Sequence, residues 1–191
     1  MPTVADFAGG NGWRRVTIPS SPQSNINLDG KRVLSVEALI KLSSYATEGH
    51  NSSVIITKEW PVCDKPYDVM SFAVNPTNDP LPPDPPNPNK RKLGFGLALR
   101  NGNSLPVGVV MASNDEIEIP ASPQTPQWKH VVATWDGNTG EMKLYINGIS
   151  NGTRVDPSLR GSIFAQTPQQ YSIGSRKNCG EFTNGCSGNC S

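Results

Sequence analysis

The stretch Trp128-Lys129-His130-Val131-Val132-Ala133-Thr134-Trp135-Asp136-Gly137-Asn138-Thr139-Gly140-Glu141-Met142-Lys143-Leu144-Tyr145-Ile146-Asn147-Gly148 decides the fold class. It holds two runs of β-branched, aromatic and aliphatic residues, each followed by a reversal. In the first run Val131, Ala133 and Trp135 fall on one side of a pleated strand. Trp128, His130, Val132 and Thr134 fall on the other, because successive side chains alternate. Both faces hold apolar groups, so both are covered at least in part. Asp136-Gly137-Asn138-Thr139-Gly140 then supplies Gly and Asn where the backbone needs positive φ. Asn147-Gly148, between Tyr145-Ile146 and Ile149, is the pair that a two-residue hairpin favours. This segment reads as consecutive antiparallel strands.

The same pattern recurs outward in both directions. Strands are expected at 3–8, 13–19, 33–42, 54–60, 67–75, 92–100, 105–113, 127–136, 141–147, 149–154 and 171–174. In the third, Val36, Ala38, Ile40 and Leu42 share one face, with Ser35, Glu37 and Lys41 opposite. Asn101-Gly102-Asn103 marks another tight reversal. No segment of ten residues shows helical apolar spacing. About eleven short strands exceed what one flat sheet usually carries, so the chain reads as all-β, either two packed sheets or a closed barrel.

A length of 191 residues suits one domain. The formal net charge is +1, and charged residues make up 17% of the chain. That near balance excludes the basic footprint of a nucleic-acid binder. No apolar run approaches the ~20 residues of a spanning helix, so no membrane insertion is expected. Met1-Pro2-Thr3-Val4-Ala5-Asp6-Phe7 has neither a basic start nor an apolar core, and no signal peptide is visible. Seven prolines between Pro76 and Pro88, followed by Lys90-Arg91-Lys92, mark a proline-rich loop insertion over 76–92. Pro85-Pro86-Asn87-Pro88-Asn89-Lys90 also fits a polyproline-ligand pattern, but such matches are cheap in proline-rich sequence.

Four cysteines allow three pairings. Cys179, Cys186 and Cys190 crowd into a Gly/Asn/Ser-rich tail over 176–191, while Cys63 stands far away. One bond within the tail and one from the tail to Cys63 are expected. C-x-x-C pairs are absent, which argues against zinc. Asn51-Ser52-Ser53, Asn151-Gly152-Thr153 and Asn189-Cys190-Ser191 fit the glycan-acceptor pattern, each read as a loop. Asn114-Asp115-Glu116-Ile117-Glu118-Ile119 puts Glu116 and Glu118 on one strand face, as in jelly-roll glucanases. The third carboxylate is lacking, because position 120 is Pro, and a solvated strand edge is the simpler reading. His50 and His130 lie outside any nucleophile motif, and His130 reads as a hydrogen-bonded sheet residue. The chain is therefore read as non-catalytic.

The Trp128–Gly148 block resembles the laminin-G-like, concanavalin A-like lectin family, with its Trp-led strand, Asp-Gly turn and Leu-Tyr-hydrophobic-Asn-Gly hairpin. Ala5-Asp6-Phe7-Ala8-Gly9-Gly10, Val16-Thr17-Ile18-Pro19, Leu34–Lys41 and Tyr171-Ser172-Ile173-Gly174-Ser175 are similar to its other strands in the same order. The resemblance implies an antiparallel jelly-roll β-sandwich over 1–175. It implies extracellular or surface recognition of carbohydrate or glycoprotein, sometimes with Ca2+. Asp6, Asp136 and Asn138 are the oxygen ligands assigned to that metal. Among the tryptophans, Trp135 is assigned to the core. Trp60, Trp13, Asp64 and Tyr67 are the candidate ligand-contacting residues, at loops on one sandwich end. The family also implies a last strand beside the first one, which residues 176–191 do not match. The edge at 3–8 is then covered by the Cys-rich tail or by a neighbouring chain, or else the sequence is a fragment. A structural or assembly protein joining neighbours through an open sheet edge is thus the alternative function.

Overall fold

In a computed structural model the described residues are 16–19, 27–42, 53–59, 68–75, 90–102, 104–118, 125–165 and 170–174. They form two antiparallel sheets packed face to face. In chain order the strands are β1 (Val16–Ile18), β2 (Val33–Ile40), β3 (Ser53–Glu59), β4 (Asp68–Asn75), β5 (Lys90–Arg100) and β6 (Val107–Glu118). They continue with β7 (Lys129–Asp136), β8 (Glu141–Ile146), β9 (Ile149–Val155), β10 (Ile163–Phe164) and β11 (Tyr171–Ile173). The seven-stranded sheet has the order β1-β11-β3-β4-β5-β10, with β6 also on β5, and the four-stranded sheet has the order β2-β7-β8-β9. This is the concanavalin A-like β-sandwich; among the described residues there is a 3-10 turn at Pro157–Leu159 and no α-helix.

The alternation read from the sequence fixes which faces meet. Val131, Ala133 and Trp135 are at most 1% exposed, and Leu34, Val36, Ala38 and Ile40 of β2 pack on the same core. Facing them from the large sheet are Met70, Phe72 and Val74 of β4 and Leu93, Phe95 and Leu97 of β5. Phe72 and Phe95, directly paired across the ladder, meet edge to face at 6.1 Å. Burying such side chains is the main favourable term in holding the two layers together. Trp128, by contrast, is 44% exposed on the outer face. The β8–β9 hairpin closes through Asn147 (φ 52) and Gly148 (φ 79), the double positive φ that its sequence requires.

Four local readings need correction. The β5 strand begins at Lys90, inside the expected loop, because Lys90, Arg91 and Lys92 stand opposite Glu118, Ile117 and Glu116 of β6. Opposite charges across the ladder extend the pair. For the same reason β6 does not stop near residue 113 but runs on through the acidic segment. A register shift separates its two parts: Lys92 faces Glu116, and Gly94 faces Ala112. Ser113, buried at this bulge, accepts from the Leu93 N–H (3.0 Å) and donates to the Asp115 carbonyl (2.6 Å). Ile163–Phe164 adds a short strand too brief to read from sequence. Finally, Asn151 does not lie in a loop. It sits in β9, 5% exposed, with its Nδ2 donating to Asp115 Oδ2 (2.6 Å). The other two acceptor asparagines, Asn51 and Asn189, lie outside the described residues.

Candidate functional site

Strand polarity sorts the connections to two ends of the sandwich. At one end β3 stops at Glu59 and β4 starts at Asp68, while β11 starts at Tyr171. The start of β2, the β7–β8 turn and the finish of β9 belong to the same end, tied to the large sheet where Phe164 N–H donates to the Lys31 carbonyl (3.1 Å). Trp60, Asp64 and Tyr67 lie on the β3–β4 connection, outside the described residues, as do Trp13, Asp6, Cys63, Cys179, Cys186 and Cys190. Trp13 precedes β1, which begins at the opposite end.

Half of the β3–β4 end is a locked backbone mesh. Gly137 N–H donates to the Arg32 carbonyl (2.7 Å), Gly161 N–H to the Gly137 carbonyl (2.7 Å) and Asp156 N–H to the Gly140 carbonyl (2.9 Å). A side chain on Gly137 would lie 2.7 Å from the Ser162 carbonyl oxygen, and one on Gly140, at φ +72, would run into that of Asp156. Asp136 Oδ1 accepts from the Asn138 N–H (2.8 Å), and its main-chain carbonyl accepts from Gly140 (2.8 Å). This is an Asx turn. Among the described residues no three His, Cys, Asp or Glu side chains converge. Ca2+ takes six to eight converging oxygens, and Asp6, the third ligand assigned to it, lies outside the described residues.

Near the end of β3 lies a feature the sequence reading missed. Lys58 is 0% exposed although it carries an ammonium group. It stands between Met70 and Tyr171 in one row across β4, β3 and β11, so it points into the sandwich. Its Nζ lies 5.1 Å from the Tyr171 ring centroid, a cation–π contact. Burial lowers the Lys58 pKa from its ordinary value of 10.5, and the Asp29 carboxylate partly opposes that. Burial, with a smaller push from Asp29, raises the Tyr171 phenol above its usual range. Asp29 Oδ1 is itself buried and has no hydrogen-bond partner. The available signal was the spacing of Ile56 and Lys58, which share a face of β3.

Elsewhere, Glu116 and Glu118 are exposed on one face of β6 with buried Ile117 between them. Lys92 and Lys90 stand opposite them in the ladder, so the acidic segment is a charge-matched strand pair. His130 is a sheet residue whose N–H donates to Asn147 Oδ1 (3.0 Å), and its Nε2 lies 3.5 Å from Glu37 Oε2.

A family model described as the concanavalin A-like lectin/glucanases superfamily, of laminin G type, matches residues 70–187. The chain belongs to this superfamily. The match takes in β4 to β11 and runs on into the Cys-rich segment. Among solved structures, the native heptameric SAP-like pentraxin from Limulus polyphemus is 21% identical, with a TM-score of 0.46. The alignment covers 86% of this chain and 58% of the pentraxin chain, so the chain spans somewhat over half of that protein's length. A comparison with curated proteins finds no match. No helix among the described residues is long and apolar enough to cross a membrane.

Proposed function

We propose that this superfamily member is a non-catalytic recognition module that binds carbohydrate or a glycosylated partner outside the cell or at a cell or virion surface. The site lies on the sandwich end from which the β3–β4 connection, with Trp60, Asp64 and Tyr67, emerges. The observation that carries the reading is strand polarity: Glu59 and Asp68 leave that connection at an end whose other half is rigidly meshed. A rigid mesh at the same end limits the ordering cost of binding there. A flat indole matches the C–H face of a pyranose, and Asp64 supplies an acceptor for hydroxyls.

Glycan-array binding of the full chain tests this. Binding is expected to be lost in Trp60→Ala and to persist in Trp13→Ala, since β1 enters from the opposite end. A flat array, or equal binding by Trp60→Ala, would overturn the proposal.

A further inference from the structure

The described residues include the Asn-Gly pairs Asn101-Gly102, Asn147-Gly148 and Asn151-Gly152. In such a pair the glycine nitrogen, unshielded by a Cβ, can attack the neighbouring carboxamide carbon. What holds the carboxamide decides whether it does. Asn151, 5% exposed, is held at both atoms: Oδ1 accepts from the Asp115 N–H (2.9 Å) and Nδ2 donates to Asp115 Oδ2 (2.6 Å). Asn147 is exposed in its hairpin turn, but its Oδ1 accepts from the His130 N–H (3.0 Å) and its own N–H donates to the His130 carbonyl (2.7 Å). Asn101 differs. Its N–H donates to Ser104 Oγ (3.1 Å) and its carbonyl accepts from the Ser104 N–H (3.2 Å), which engages the main chain alone. Among the described residues neither its carboxamide nor the Gly102 N–H meets a hydrogen-bond partner. Both residues are exposed, and the space a Cβ on Gly102 would enter is open.

We propose that Asn101 is a site of spontaneous deamidation, left open by the β5–β6 turn, while the structure restrains the same reaction at Asn147 and Asn151. Hydroxide removes the Gly102 N–H proton, and that nitrogen forms a bond to Asn101 Cγ. The Cγ–Nδ2 bond breaks and ammonia leaves, taking its third proton from water. A five-membered succinimide remains. Water then adds at one of its two carbonyls and opens the ring, giving aspartate or isoaspartate. One water is consumed and one ammonia released, with no oxidant or reductant. The added carboxylate takes the formal charge of the chain from +1 to 0. Because β5 finishes beside the start of β4, the turn lies at the sandwich end that carries the β3–β4 connection. The reaction thus changes the charge of the end assigned to recognition. That consequence rests on the proposed binding site, whereas the reaction depends on the turn alone.

Incubation of the full chain in mildly alkaline buffer, followed by peptide mapping with mass spectrometry, reads the reaction at each asparagine and needs no glycan. Asn101 is expected to convert first, to a mixture of aspartate and isoaspartate, at a rate proportional to hydroxide. Ring closure at Asn147 must first give up one side-chain hydrogen bond, so it should run roughly two- to twelvefold slower. Asn151 must give up two and should be slower still. In urea the three rates should converge, because the unfolded pairs share one local sequence. Asn101→Gln, an exposed change, should abolish early conversion in that peptide with circular dichroism unaltered, since the longer side chain cannot close the five-membered ring. Conversion of Asn147 or Asn151 ahead of Asn101 in the folded chain overturns the proposal. So does an Asn101 that stays intact, or a rate ratio that urea leaves unchanged.

Discussion

Where β9 passes β6, the two sheets of the sandwich come edge to edge, and side chains occupy the main-chain groups there. Asn151 Oδ1 accepts from the Asp115 N–H (2.9 Å) while its Nδ2 donates to the Asp115 carboxylate. Arg154 Nη1 reaches the Val110 carbonyl (2.9 Å), and Gly152, at φ +144, lets Met111 press against the β9 backbone. Along β2, on the far side of the same small sheet, the outward groups meet no such partner among the described residues. One rim is sealed by residues of low β propensity set at bulges, and the other keeps a regular ladder edge. The difference shows that alternation alone builds the layers, whereas closing an edge takes specific polar side chains at irregular positions.

The sealed rim should break most easily at Gly152. Gly152→Val must hold a side chain at positive φ and displace Met111 Cε, which lies 2.7 Å from where its Cβ would sit. The expected loss is about 2–5 kcal/mol by urea unfolding. Asn151→Ala leaves the Asp115 N–H unpartnered and should cost about 1–3 kcal/mol, with retention of the β2 ladder in amide exchange. A change remote from both rims calibrates these. Lys58 has its pKa depressed by burial, so the unfolded chain binds more protons as pH approaches 10.5 and that part of the stability rises with pH. Any advantage of Lys58→Met over the natural chain should shrink along a urea series taken up to that pH, while the Tyr171 contribution, falling above its ordinary value of 10.0, is common to both proteins. At the open rim Leu39→Thr should move monomer stability by no more than about 0.5 kcal/mol. A loss above 2 kcal/mol there would show that the β2 edge is already covered within one chain.

Much of the fold was legible because residues such as Val131, Ala133 and Trp135 declare a strand face by themselves, and Asn147-Gly148 declares its turn. What escaped depends on partners distant in sequence. The β5 strand reaches back to Lys90 because β6 runs on opposite it, and Asn151 is buried only because Asp115 meets it across the sheet gap. Lys58 looks like a surface residue until its row neighbours Met70 and Tyr171 turn it inward. Ile163–Phe164 is a strand by virtue of Leu99 and Arg100 rather than of its own two residues. Of the candidate site, the Asp136–Asn138 pair was legible as a turn, and its Asx hydrogen bond bears that reading out.

The carboxamide nitrogen that latches Asn151 to Asp115 is also the atom to which an oligosaccharyltransferase would attach its sugar. In a host that decorates nascent chains before they fold, occupancy at this position and closure of the rim exclude one another. Recombinant material from such a host should therefore divide into an unmodified fraction that folds and a modified fraction that fails quality control, whereas a bacterial cytoplasm would give only the first.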